Sequence, residues 1–167
     1  MCLHQEIYEC AIGKYENQNC CWRGTKSDIW SHVQKTHPMK IFYVGNIECV
    51  IKNFNPHDSF MSTFLIKTQD EIFWLYNRED KNTGKFMGAV QYIGSKLNAS
   101  KFRYEIEFHS KGESDFKVKF SRSTHTYEEQ IDDVFDSEKC MCVSSKLVNN
   151  FTSSDKTLYF TVNVTTS

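Results

Sequence analysis

Apolar and polar residues alternate through most of the sequence after residue 38, a pattern that puts every second side chain on one face of an extended chain. Phe102, Tyr104, Ile106 and Phe108 alternate with Arg103, Glu105 and Glu107, and Phe116, Val118 and Phe120 alternate with Lys117 and Lys119. The polar, Gly-bearing stretch at 110–114 predicts that these two segments form a hairpin. Leu158, Phe160, Val162 and Val164 make a last strand of the same kind. Further strands are predicted at 41–51, 60–67, 71–76, 86–93 and 139–143, with turn signals such as Asn55-Pro56 and Asn82-Thr-Gly84 between them. About eight short strands in roughly 125 residues predict a mainly β fold, an antiparallel β-sandwich. One helical insertion is expected at 126–135, where Ile131, Val134 and Phe135 fall at helical spacing behind Thr126 and Glu129, themselves at capping-box distance.

Residues 1–37 have another texture. They hold four of the seven Cys and three of the six His, with few alternating apolar positions, as expected of a small module whose core is replaced by a metal. The division predicted is a finger at 1–38 and a sandwich at 39–167. Thr25-Lys-Ser-Asp28 reads as a helix start, Ile29 and Val33 lie four apart on one face, and Pro38 stops the helix. His32 and His37 therefore sit on, or at the end of, one short helix. Together with Cys10 and one of the neighbours Cys20 and Cys21, they make a set of zinc-type ligands, and the four residues between the two His fit a structural zinc site. The nine residues between Cys10 and Cys20 are a wider gap than the usual two to four. A reading of both His as ordinary surface residues gives way because the whole group falls in a segment too poor in apolar residues to fold alone. Trp22 and Trp30 are then packing around the metal.

Charge narrows the function classes. With 20 basic and 21 acidic residues the chain has no long-range field to gather nucleic acid or an anionic membrane, and the finger helix offers only Lys26, Lys35 and the following Lys40. The N-terminus has neither the basic start nor the apolar core of a signal peptide, and no run approaches the roughly 20 apolar residues of a membrane span. Cytosol or nucleus is the expected compartment, where clustered Cys points to metal rather than disulfides, and the sequons at Asn98, Asn150 and Asn163 carry no meaning. Cys49, Cys140 and Cys142 lie inside strand patterns and read as buried small hydrophobes. A Cys nucleophile would need His57, His109 or His125 beside it, and no spacing selects one.

The residues at this point resemble a known family. Cys20-Cys-Trp22-Arg-Gly24, followed by His32 and His37, resembles the second half of the Sina/Siah double zinc finger, whose pattern is Cys-x-Trp-x-Gly and then His-x4-His. The resemblance assigns the ligand position to Cys20 rather than Cys21, so that Cys10, Cys20, His32 and His37 hold one structural zinc ion; Cys10 stands at a longer gap than the family's usual one. Ala89-Val-Gln-Tyr-Ile-Gly94, the strand from Ala99 to Glu107, and Leu158-Tyr-Phe-Thr-Val-Asn-Val-Thr165 are similar to stretches of the Sina substrate-binding domain.

The resemblance implies a TRAF-like sandwich that dimerises, with itself or with other Sina-type ligases, and that captures protein substrates or adaptors through short degron peptides added to a sheet edge. It implies a place in ubiquitin-dependent degradation. The family's RING, which recruits the ubiquitin-conjugating enzyme, has no counterpart here, and Cys2 resembles the last ligand of the first finger half. A ligase fragment and a RING-less adaptor or inhibitor are both expected readings of such a chain. Where the family has an Asp-Trp-Val-Met type stretch lining its peptide groove, this chain reads Asp58-Ser-Phe-Met-Ser-Thr63, which leaves Phe60 and Met61 as substrate-binding candidates.

Overall fold

A computed structural model describes residues 5–16, 19–43, 46–68, 70–110 and 116–167. The chain begins with β1 (Tyr8–Glu9), α1 (Ala11–Tyr15), β2 (Arg23–Gly24) and α2 (Lys26–Thr36), then a 3-10 turn at Pro38–Lys40. The strands that follow are β3 (Ile41–Tyr43), β4 (Asn46–Ile51), β5 (Phe60–Lys67), β6 (Ile72–Asp80) and β7 (Lys85–Tyr92). After α3 (Lys96–Ala99) come β8 (Phe102–His109), β9 (Lys117–Ser123), α4 (Ile131–Asp136), β10 (Met141–Ser144), α5 (Ser145–Asn149) and β11 (Leu158–Thr166).

The strands after the turn form two sheets, ordered β10-β7-β6-β5-β3 and β4-β11-β8-β9. All their pairings are antiparallel except β3 with β5. The predicted hairpin is present, with Ile106 opposite Phe120, while its loop at 111–115 lies outside the described residues. Alternation places Phe73, Leu75, Phe86 and Val90 of the larger sheet against Tyr104, Ile106, Phe108, Leu158, Phe160 and Val162 of the smaller one. Phe86 has Phe54, Phe60, Phe108 and Phe160 around it at ring-centroid distances of 5.8–6.3 Å. Close aromatic packing of this kind fixes the spacing of the two sheets.

The larger sheet is buried on its outer face too. Leu65, Trp74, Tyr76, Met87 and Ala89 pack there against Tyr8, Ala11, Ile12, Ile29 and Val33 of the N-terminal module and against Ile131, Val134 and Phe135 of α4. A strand covered on both faces reads as a continuous apolar run, which accounts for the unbroken Ile72-Phe-Trp-Leu-Tyr76 in β6.

Several expectations change in detail. The single strand expected at 41–51 is two strands in different sheets. The module before Pro38 contains a second helix, α1, and α3 and α5 are further short helices. The helix expected from residue 126 starts only at Ile131. The Thr126 N–H does donate to the Glu129 carboxylate (2.7 Å), but Gln91 Nε2 also donates to the carbonyls of Thr126 and Glu129 (3.1 and 2.9 Å). Those carbonyls are thereby held to β7, and the segment stays a turn.

Gly88, opposite Asn77 and Met141, is a close approach within the inter-sheet core. A Cβ there would lie 2.8 Å from Ile106 Cδ1 and 3.0 Å from Met141 Cε. Both are ends of flexible side chains, so Gly88→Ala should fold but lose about 1–3 kcal/mol through overpacking. Urea unfolding measures this; an unchanged midpoint would show that the core has slack at this point.

Candidate metal centre

Cys10 is the residue at which β1 hands over to α1, and its N–H donates to the carbonyl of Trp22 (3.1 Å), extending the ribbon that pairs Tyr8 with Gly24 and Glu9 with Arg23. Cys20 follows α1 and precedes β2. His32 lies in α2, and His37 is its C-terminal cap, with its N–H bonded to the carbonyl of Val33 (2.7 Å). Ile29 and Val33, fully buried, anchor the inner face of α2 and so set the direction in which the two imidazoles project. At the start of that helix Thr25 donates its hydroxyl to the Asp28 carboxylate (2.9 Å).

The four side chains converge. Their ligand atoms all lie within 4.8 Å of one another, and Cys20 Sγ is 3.3 Å from His32 Nε2. A tetrahedral ion with sulfur at 2.3 Å and nitrogen at 2.0–2.1 Å would separate neighbouring S and N ligands by about 3.5 Å. His37 is 7% exposed, and its Nε2 is buried with no hydrogen-bond partner in the protein. An orphaned imidazole nitrogen beside two thiols is what a metal ligand looks like before the ion is counted. The set can hold a metal ion, with two sulfurs and two nitrogens and no carboxylate.

The surroundings favour that use. The Trp22 ring stacks on His32 at 4.7 Å and 7°, and His32 meets His37 edge-on at 5.3 Å. A Cβ on Gly24 would come within 2.5 Å of the Trp22 ring, so the glycine is what lets that ring lie back over the site. Burial lowers the pKa of both imidazoles and so favours the neutral ring, the state in which they ligate; proximity to His37 adds to the effect on His32, while at His37 the Glu16 charge opposes it and Lys40 reinforces it. Burial works the other way on Cys10, pushing its thiol up to about 11, so an ion bound there would have to displace the proton. Cys21 is exposed, and Cys2 lies outside the described residues. Trp30, the other predicted packing residue, instead meets Tyr43 edge-on at 5.4 Å and carries the Lys67 ammonium over its face.

Among the described residues, Cys49, Cys140, His57 and His125 do not show the features of a thiol enzyme site. Burial pushes the Cys49 and Cys140 thiols up to about 12, the opposite of what a nucleophile needs. His57 is exposed in a turn, and His125 is enclosed, with its Nε2 3.0 Å from the Tyr104 hydroxyl. Phe60 is half-buried at the start of β5, edge-on to Phe54, while Met61 faces the other way, against the outer cluster that contains Trp74. Sequence reasoning missed Glu16 at this edge. Its carboxylate accepts the Thr63 N–H (2.8 Å) and pairs with Lys40 (2.6 Å), and no spacing rule could have connected residues 47 apart.

Among the described residues no helix is long and apolar enough to cross a membrane. A search of curated proteins finds no match to this chain. Comparison with protein families matches residues 66–164 to the Sina, TRAF-like domain, a span that runs from the end of β5 to near the end of β11 and leaves the metal centre outside it. More than half of the 167 residues are covered, with both sheets of the sandwich represented, and the chain belongs to the Sina TRAF-like domain family.

Proposed function

We propose that this chain is the substrate-recognition and dimerisation part of a Sina-type ubiquitin ligase of the cytosol or nucleus, divided into a finger at 1–38 and a sandwich at 39–167. Family membership supports the ligase context. The observation that carries the finger is the convergence of Cys10, Cys20, His32 and His37 within 4.8 Å. Two thiolates and two imidazoles are a zinc donor set, and with all four positions filled by protein the ion's role is structural. Zinc there cross-links β1, the segment after α1, and both ends of the histidine pair on α2.

Substrate capture is assigned to β5. β3 pairs with β5 only from Leu65 to Lys67, and ahead of it α1 and Glu16 lie against the strand with Thr63 buried, so an extended degron peptide would add there, beside Phe60 and Met61, by displacing that cover. A peptide carbonyl pairing with the Thr63 N–H would replace the Glu16 carboxylate now bonded there. Ubiquitin transfer belongs to a RING and its conjugating enzyme, and no residue of this chain is assigned to it.

Selection from a displayed peptide library tests capture. Enriched extended peptides should lose binding to a Met61→Lys variant of unchanged melting temperature; a chain that enriches none, or one indifferent to the substitution, overturns capture at this edge. For the metal, mass spectrometry under native conditions should find one zinc per chain, reduced in His32→Ala, and a metal-free chain would sink the finger assignment.

A further inference from the structure

The outer edge of β5 is held by an acidic side chain from a distant part of the sequence. β5 lies antiparallel to β6 with Thr63 opposite Tyr76, and the Thr63 N–H turns away from β6 to donate to Glu16 Oε1 at 2.8 Å. The same oxygen accepts from Lys40 Nζ at 2.6 Å, so one carboxylate oxygen joins an edge amide to an ammonium. Lys40 also stands 4.2 Å over the Phe64 ring, and its side chain is only 21% exposed.

The path of the chain explains the arrangement. β3 runs parallel to β5 with Ile41 opposite Leu65, and the 3-10 turn at Pro38–Lys40 peels the chain away just before that pair. Where a longer β3 would have met Thr63 with backbone, Glu16, the C-terminal cap of α1, supplies a carboxylate instead. An extended peptide laid along β5 in that place has two groups to satisfy. Its own carbonyl must take the Thr63 N–H, and the two-residue period puts the Met61 N–H on the same edge. Displacing Glu16 also takes the carboxylate from Lys40, and an ammonium left unpaired in a mostly enclosed position is costly. A neutral peptide satisfies the amide alone. A peptide that brings an acidic side chain satisfies both.

We infer that the β5 edge selects acidic peptides, an Asp or Glu side chain of the degron taking the place of Glu16 on Lys40, with Glu16 as the internal competitor that the peptide displaces. The inference rests on the capture reading above and narrows it to a substrate class. α1 packs against β5, and Cys10 and Cys20 of the metal centre flank that helix, so the Glu16 carboxylate is presented to the edge at high effective concentration. Neutral extended segments, which an open strand edge would otherwise attract, are thereby held off. Discrimination comes from the charge left on Lys40 when the wrong peptide adds.

The test uses the full chain and fluorescein-labelled, N-acetylated, C-amidated octapeptides of alternating Val and Ser, with one Glu or one Gln walked through each position in turn. Fluorescence polarisation should give a Kd about tenfold lower for Glu than for Gln at one or two positions, the size of one charge-assisted hydrogen bond. Lys40→Met, which keeps an unbranched side chain over Phe64, should erase that preference. Glu16→Gln keeps an acceptor for the Thr63 N–H and removes the competing charge, so both peptides of a pair should bind it about tenfold more tightly with their preference unchanged. Binding that does not distinguish Glu from Gln, or a preference that survives in Lys40→Met, overturns acidic selection and leaves edge capture standing. Unchanged affinity in Glu16→Gln overturns the competition. If Lys40→Met does not fold, the comparison of Glu with Gln peptides on the parent and on Glu16→Gln decides by itself. Failure of every peptide to bind either of those two proteins, both folded by their melting temperatures, overturns capture at this edge and the selection with it.

Discussion

Chelating the metal from the loaded chain at neutral pH should unfold the module up to His37 and expose the outer face of the larger sheet, while the inter-sheet core persists. Structural zinc in finger peptides supplies an apparent 10–16 kcal/mol of folding free energy. That is more than this segment can replace from its own contacts. The 11 residues of α2 fall below the roughly 12–15 that an isolated helix needs to be marginal in water, and only Ile29 and Val33 of its face are buried. β1 and β2 contribute two residues each, and α1 has five. Without the ion, Tyr8, Ile12, Ile29 and Val33 have no scaffold holding them against Leu65, Trp74 and Met87. Amide exchange should then show α2 unprotected and β8, β9 and β11 still protected, and tryptophan emission should shift to the red as Trp74, fully buried in the holo chain, meets water. Retained protection of α2 after verified metal loss would mean that apolar contact alone holds the module, and the ion would then be an accessory.

Legibility in the sequence followed how directly each residue's neighbours are set by local period. In β8, β9 and β11 more and less buried residues alternate, so alternation alone located them, and β8 and β9 pair as the predicted hairpin. β6 was placed by its apolar run but cut short at Tyr76, because Asn77, Arg78, Glu79 and Asp80 look like the polar end of a strand. In the structure Asn77 and Glu79 continue the inward face of Phe73 and Leu75 and are themselves buried. A buried polar residue carries no periodic signature. The boundary between β3 and β4 was missed because Ile41-Phe-Tyr-Val44 and Ile47 to Ile51 are both apolar enough to read as one strand across Gly45-Asn46, and only long-range pairing with β5 and β11 tells them apart. The convergence of Cys10, Cys20, His32 and His37 was readable in part, since four residues separate the two His along one helix, whereas the nine-residue gap between the cysteines follows no local rule. The choice of Cys20 over Cys21 came from resemblance, and in the structure it is Cys20 that meets His32 at 3.3 Å.

Glu79 and His125 should bend the stability of this chain with pH in opposite directions. Glu79 is 1% exposed, and burial raises its pKa from 4.5 to about 7, with the Ser145 hydroxyl opposing the rise and the neighbouring Asp80 charge adding to it. The folded chain thus favours the protonated acid. Its contribution is complete below pH 4.5 and is lost as pH climbs through 7, a change of about 3 kcal/mol. His125 is fully buried, and burial lowers its pKa, with Arg122 pressing the same way and Glu129 opposing; the folded chain favours the neutral ring. That contribution is complete above pH 6.5 and is lost as pH falls toward the depressed folded value. Between pH 4.5 and 6.5 the two slopes oppose each other, and above that range Glu79 acts alone. Replacing Glu79 with Gln, an uncharged match for the protonated acid, isolates its limb: the variant should equal the parent near pH 4.5 and exceed it by about 3 kcal/mol at pH 8. Comparing the two proteins at each pH cancels any acid loss of the metal, which both share. A difference in unfolding free energy that stays constant from pH 4.5 to 8 would show that Glu79 finds a partner on ionising, and would move the source of any pH dependence elsewhere in the fold.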